Sequence, residues 1–169
     1  MKKIFHYFFT KYPTFYFLTK ATVKTIENDI KPLGISHVRA VALKRIGKII
    51  ISKYGGHVPS DREALIELPH VGPYIANATL CFAFNLDVPM LDTNILRVIT
   101  RYFTISSKHR KKTNDPVLWK YLDSLLPKGR VKEFNYALLD FAFKICSSKN
   151  PKCFICPLKK SCIYIKNKI

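Results

Sequence analysis

Apolar residues recur at every third or fourth position through most of this chain. Val38, Ala42, Ile46 and Ile49 would share one side of a helix, as would Ile95, Ile99 and Tyr102, and Phe134, Leu138, Phe141 and Ile145. Strand-like alternation is scarce. The punctuation agrees. Ser60 followed by Glu63 reads as a capping box, in which each side chain satisfies an amide of the first helical turn. Pro73, directly after Gly72, suits a first helical position, where a missing N–H leaves nothing unpaired. Gly55-Gly56 and Asn150-Pro151 mark breaks. The pattern predicts an all-α protein of about eight to ten helices joined by short turns, with neither an internal repeat nor a low-complexity linker.

The opening "MKKIFHYFFTKYPTFYFLTKA" sets two lysines before aromatics, as a secretory leader would. His6, Lys11 and Pro13 interrupt the apolar run, and no small-x-small cleavage site follows. An aromatic helix followed by a turn is expected instead. No apolar run approaches the roughly 20 residues of a membrane span. The 169 residues suffice for one domain or two small lobes with a core.

Charge narrows the function. Lys and Arg number 29 against 11 acidic residues, a formal net charge of +18, and the cations are spread along the chain rather than gathered in a tail. A folded basic surface of this kind implies a polyanionic partner, nucleic acid ahead of an anionic membrane. A reducing, cytoplasmic location is expected, with the protein associated with the nucleoid. The five cysteines should then be thiols, metal ligands or catalytic groups rather than disulfides.

Four of them stand in "CSSKNPKCFICPLKKSC". Cys146, Cys153, Cys156 and Cys162 follow a C-x6-C-x2-C-x5-C spacing after a helix ends. Zinc and a 4Fe–4S cluster both accept four cysteines. Structural zinc more often uses two separated Cys-x-x-Cys pairs, and uneven spacing around one compact loop favours the cluster. Cys81, on an apolar helix, reads as a small core residue.

Two further stretches carry candidate chemistry. In "LPHVGPY", Leu68 to Tyr74, a tight turn would leave unpaired amides at the start of the next helix, a natural seat for a phosphate. Twenty residues beyond Gly72, "PMLDTNILRV" places Asp92 before an amphipathic helix. Asp92 reads first as an ordinary N-cap, and a capped carboxylate stays ionised and so also suits stabilisation of a cationic transition state.

The hairpin, the "LDTNILRVITRYF" segment and the cysteine tail, in this order, resemble the helix-hairpin-helix DNA glycosylase superfamily of endonuclease III and adenine glycosylase. The resemblance covers nearly the whole chain. It implies a helical barrel lobe over residues 1–128, with the helix-hairpin-helix at about 61–84, and a lobe over 129–169 built on the C-terminal helix and a 4Fe–4S loop. It further implies that His70, Val71, Gly72 and Arg39 contact double-stranded DNA, that a nucleotide is flipped out, and that Asp92, with Asn94 and Tyr74, serves cleavage of its N-glycosidic bond. The cluster ligands would be Cys146, Cys153, Cys156 and Cys162.

The family's strand-cutting members carry a nucleophilic Lys seven residues into the hairpin motif. Here that residue is Tyr74, which cannot form an imine, so base removal without strand cleavage is expected. Tyr74 resembles the thymine/uracil mismatch branch and also some adenine glycosylases, whereas "DIKPLGISHVRA" and Thr93 resemble the mismatch branch. An adenine glycosylase is the alternative reading, and a non-catalytic iron–sulfur DNA-binding module the second. Two departures stand out. The chain starts beyond the family's Gln-rich N-terminal helix, so an apolar face over residues 4–17 should be uncovered; a monomer is expected, with that face as its route to association. His70 replaces a glycine of the hairpin, and a positive φ there would strain it.

Overall fold

The computed structural model describes residues 2–167, with side chains from Ile4 onward. Ten α-helices and no strand lie among the described residues, as the periodicity predicts. None of these helices is long and apolar enough to cross a membrane. The chain divides into two units, Met1–Gly72 and Pro73–Ile169, and residue 128 lies within the second.

The first unit holds α1 (Lys2–Lys11), α2 (Phe15–Lys20), α3 (Val23–Ile30), α4 (Ser36–Tyr54) and α5 (Arg62–Ile66). Its core gathers Tyr12, Leu18, Ile26, Ile30 and Ala40. Asp29 ties α1 to α3, accepting hydrogen bonds from Tyr12 (2.6 Å), Tyr7 (3.1 Å) and Lys11 (3.0 Å). Burial, and then the bond to Asp29, pushes the Tyr12 hydroxyl up to about 12. The outer face of the aromatic run is open: Phe5, Tyr7, Phe9, Tyr16 and Phe17 are all exposed.

Two local expectations change. Of the stripe expected on α4, Ala42 is buried and Ile46 and Ile49 are half-buried, but Val38 is exposed, and Ala40, Gly47 and Ile50 are buried as well. Close packing on α2 accounts for Gly47. A Cβ at Gly47 would stand 3.0 Å from Thr19 Cγ2, so bare backbone faces the neighbour and the larger aliphatics flank it. Nor does Ser60 cap α5. Asp61 does, its carboxylate accepting from the Ala64 amide at 2.8 Å. The ionised side chain also suits the positive end of the helix. Glu63 then falls one position too early to complete a capping box. The breaks hold: α4 ends on Gly55 in the left-handed conformation, and Asn150 also has a positive φ.

The second unit holds α6 (Pro73–Phe84), α7 (Thr93–Phe103), α8 (Pro116–Ser124), α9 (Val131–Lys144) and α10 (Ile163–Lys166). Cys81, Met90, Leu91, Ile95, Leu118 and Leu122 form its centre. On α9 the expected stripe is only half-buried, and the fully covered positions are Val131, Asn135 and Ala142. Asn135 displaces an aliphatic there because it donates to the Val88 carbonyl at 3.1 Å and to the Cys81 sulfur at 3.3 Å. Asn77 donates to the Pro89 carbonyl at 2.7 Å. Two buried amides therefore hold the segment leading into α7, and buried Met90 and Leu91 anchor it.

Candidate functional site

That anchored segment delivers Asp92 to the start of α7. One carboxylate oxygen accepts from the backbone amides of Asn94 (2.9 Å) and Ile95 (2.7 Å). The other accepts from the Asn94 side-chain amide at 2.7 Å. Three donors thus fix the half-buried carboxylate in place. Tyr74, in the first turn of α6, is also half-buried; burial raises its hydroxyl above the ordinary value, and the negative charge of Asp92 adds to the rise. Asp92 and Asn94 are therefore hydrogen-bonded partners, and Tyr74 lies within the reach of the Asp92 charge.

Sequence reasoning missed the arginines behind it. Arg97 donates to the Asn94 side-chain oxygen at 3.0 Å, and reaches the carbonyls of Cys146 and Ala142, each at 2.8 Å. One turn on, Arg101 donates to the carbonyls of Ser147 (2.7 Å) and Ser148 (3.1 Å) and to Cys146 Sγ at 3.5 Å, while its guanidinium lies over the Tyr164 ring. The two side chains satisfy carbonyls at and beyond the end of α9 that the helix itself leaves unpaired. The available signal was the Arg-x-x-x-Arg spacing in "LRVITR", which puts both residues on one helix face.

The thiol loop is closed on the same helix. Cys146, Cys153, Cys156 and Cys162 are all free and line one cavity of about 30 Å³, with Arg101 and Tyr102. Burial pushes the Cys156 thiol up. Among the described residues no three His, Cys, Asp or Glu side chains come together to hold one metal ion. A single zinc with Zn–S bonds of about 2.3 Å needs its thiolates within about 4 Å of one another. A polynuclear centre spreads its ligands wider, and Arg101 supplies an N–H donor to Cys146 Sγ, the kind of bond that tunes such a centre. Four thiols around one cavity are a donor set that a 4Fe–4S cluster accepts.

The remaining candidates belong to the first unit. His70 is exposed at φ 61°, so the expected strain is present, whereas Gly72 has no positive φ and only open space where a Cβ would stand. The Val71 amide bonds to the Leu68 carbonyl at 3.1 Å. Arg39 is exposed on α4 and donates to the Leu33 carbonyl at 2.7 Å, which directs part of its guanidinium inward.

This helical framework has close counterparts among solved DNA-repair enzymes. A structure of a thermostable thymine-DNA glycosylase superposes with a TM-score of 0.90 at 40% identity, over 98% of this chain and 76% of that one. A non-covalent endonuclease III–DNA complex gives 0.88 at 27% identity, with the same shares covered. The model of the HhH-GPD superfamily of base excision DNA repair proteins matches residues 1–123, and the chain belongs to that family. Among curated relatives, a thymine/uracil-DNA glycosylase of Pyrobaculum aerophilum is 41% identical over 168 residues, 98% of this chain and 73% of the relative.

Proposed function

We propose that this protein is a monofunctional DNA glycosylase, excising thymine or uracil mispaired with guanine. The observation that carries the reading is the Asp92 carboxylate, locked by three donors beside a tyrosine rather than a lysine. As the base departs, positive charge develops on the deoxyribose. A fixed carboxylate stabilises that charge and takes a proton from the attacking water. Because its donors are already in place, little reorganisation is needed as the reaction proceeds. Tyr74 cannot form an imine with the sugar, so the strand stays intact.

A stacked base is out of reach of such a carboxylate, so the nucleotide is extruded, and a mispaired one is extruded at lower cost. The turn from His70 to Gly72, whose Val71 amide is already bonded to the Leu68 carbonyl, would hold backbone phosphates through its remaining donors and Arg39, without reading sequence. Cys146, Cys153, Cys156 and Cys162 would hold a 4Fe–4S cluster, which when bound cross-links the loop and sets its local charge. The likeness to a thymine/uracil-DNA glycosylase at 41% identity supports the choice of base.

The test is a labelled duplex carrying one G·T, G·U or A·G pair, incubated with the protein and then treated with alkali. Cleavage at thymine or uracil, only after alkali, is expected. Cleavage confined to adenine would transfer the protein to the adenine branch, and cleavage without alkali would contradict the role given to Tyr74.

A further inference from the structure

Beyond α7 the chain passes through Thr104, in the left-handed conformation, into a loop containing five consecutive basic residues, Lys108, His109, Arg110, Lys111 and Lys112. All five are exposed. Among the described residues, no acidic side chain pairs with Lys108, Arg110, Lys111 or Lys112. The one carboxylate between Thr104 and Leu122 is Asp115, and it is turned inward at 5% exposure.

Asp115 organises the loop. It accepts from the Ser107 hydroxyl and from the Val117 amide (2.9 Å), and His109 Nε2 stands 3.9 Å from it. The Ser107 oxygen in turn accepts from the His109 amide at 3.1 Å, and the Trp119 indole donates to the Thr113 carbonyl at 2.8 Å. Both ends of the basic run are pinned to α8. Like charges this close repel, and a chain free to move would spread them. Pinning the loop keeps them together at an electrostatic cost that a bound polyanion would relieve.

We propose that this loop is a second phosphate-gripping surface, which holds duplex DNA flanking the nucleotide being processed. It rests on the glycosylase reading only in taking duplex DNA as the polyanion. With 11 residues, α7 is about 16 Å long, and the loop follows its far end from Asp92. At about 3.4 Å per base pair, a length of this order spans no more than roughly five base pairs of duplex. The loop therefore contributes to affinity and salt dependence, not to the chemical step.

The experiment compares the full chain with a variant carrying Lys108→Ser, Arg110→Ser, Lys111→Ser and Lys112→Ser. Binding to a fluorescent, fully paired duplex is measured over a range of salt concentrations. Each phosphate contact contributes about 0.9 to the slope of log affinity against log salt, so the slope should become shallower by about three to four. Affinity at low salt should fall at least about tenfold. Single-turnover excision from a G·T duplex at saturating protein should be unchanged. If the combined variant folds poorly, Arg110→Ala and Lys111→Ala alone should each remove about one unit of slope. An unaltered slope and affinity would overturn the proposal while leaving the glycosylase reading intact. Equally, an altered excision rate at saturation would show that the loop acts in the chemical step. A wild-type protein that binds duplex through the loop yet excises nothing would overturn the glycosylase reading alone.

Discussion

The guanidinium of Arg97 donates to the side-chain oxygen of Asn94 at 3.0 Å, and the Asn94 amide nitrogen donates to Asp92 at 2.7 Å. Because Arg97 also holds the Cys146 and Ala142 carbonyls, the orientation of Asn94, and through it one oxygen of Asp92, depends on where the thiol loop begins. If Asp92 acts in excision, the role these bonds give Arg97 is positioning. Arg97→Met should slow excision roughly ten- to a hundredfold, the equivalent of one charge-assisted hydrogen bond. DNA affinity should change much less. Single-turnover rates and binding isotherms separate the two, and an equal loss in both would assign Arg97 to DNA contact instead.

Asp92→Asn separates the cap from the chemistry. Asparagine caps helices about as well as aspartate, so thermal stability should stay within about 1 kcal/mol. Base excision should vanish, since a neutral amide neither stabilises the developing charge nor takes a proton. Retained activity at unchanged stability would remove Asp92 from the reaction.

At His70, the left-handed backbone suits glycine. Relief of strain, about 1–2 kcal/mol, opposes the extra freedom glycine gives the unfolded chain, about 0.5–1 kcal/mol. His70→Gly should therefore raise stability by up to about 1 kcal/mol, read as a higher midpoint in denaturant. A clear loss would mean that the imidazole makes a stabilising contact.

The Ser107 hydroxyl, followed by the Val117 amide, holds the Asp115 carboxyl below its ordinary value. A depressed carboxyl stabilises the fold while ionised. Its contribution is complete at neutral pH, declines as the unfolded chain takes up its proton near about pH 4, and is lost below the folded value. Asp115→Asn should lower stability at neutral pH and flatten its decline through the acid range. Denaturant unfolding across that range reads this directly. Parallel curves for the two proteins would show that Asp115 is not a source of acid sensitivity.

Sequence alone determined the helical class, the breaks at Gly55-Gly56 and Asn150-Pro151, the aromatic first helix, the buried Cys81, and the order of hairpin, capped aspartate and thiol loop. These depend on interactions spanning three or four residues, or on side-chain chemistry that needs no partner. Tyr74 is an example, since a phenol lacks the amine of lysine in any fold. Tertiary structure decided the rest. Gly47 faces inward because α2 approaches where α4 has no side chain. Asn135 is buried because carbonyls of a distant segment need a donor. Arg97 meets Cys146, 49 positions away, because α7 packs along α9, a juxtaposition that no periodicity along one helix encodes.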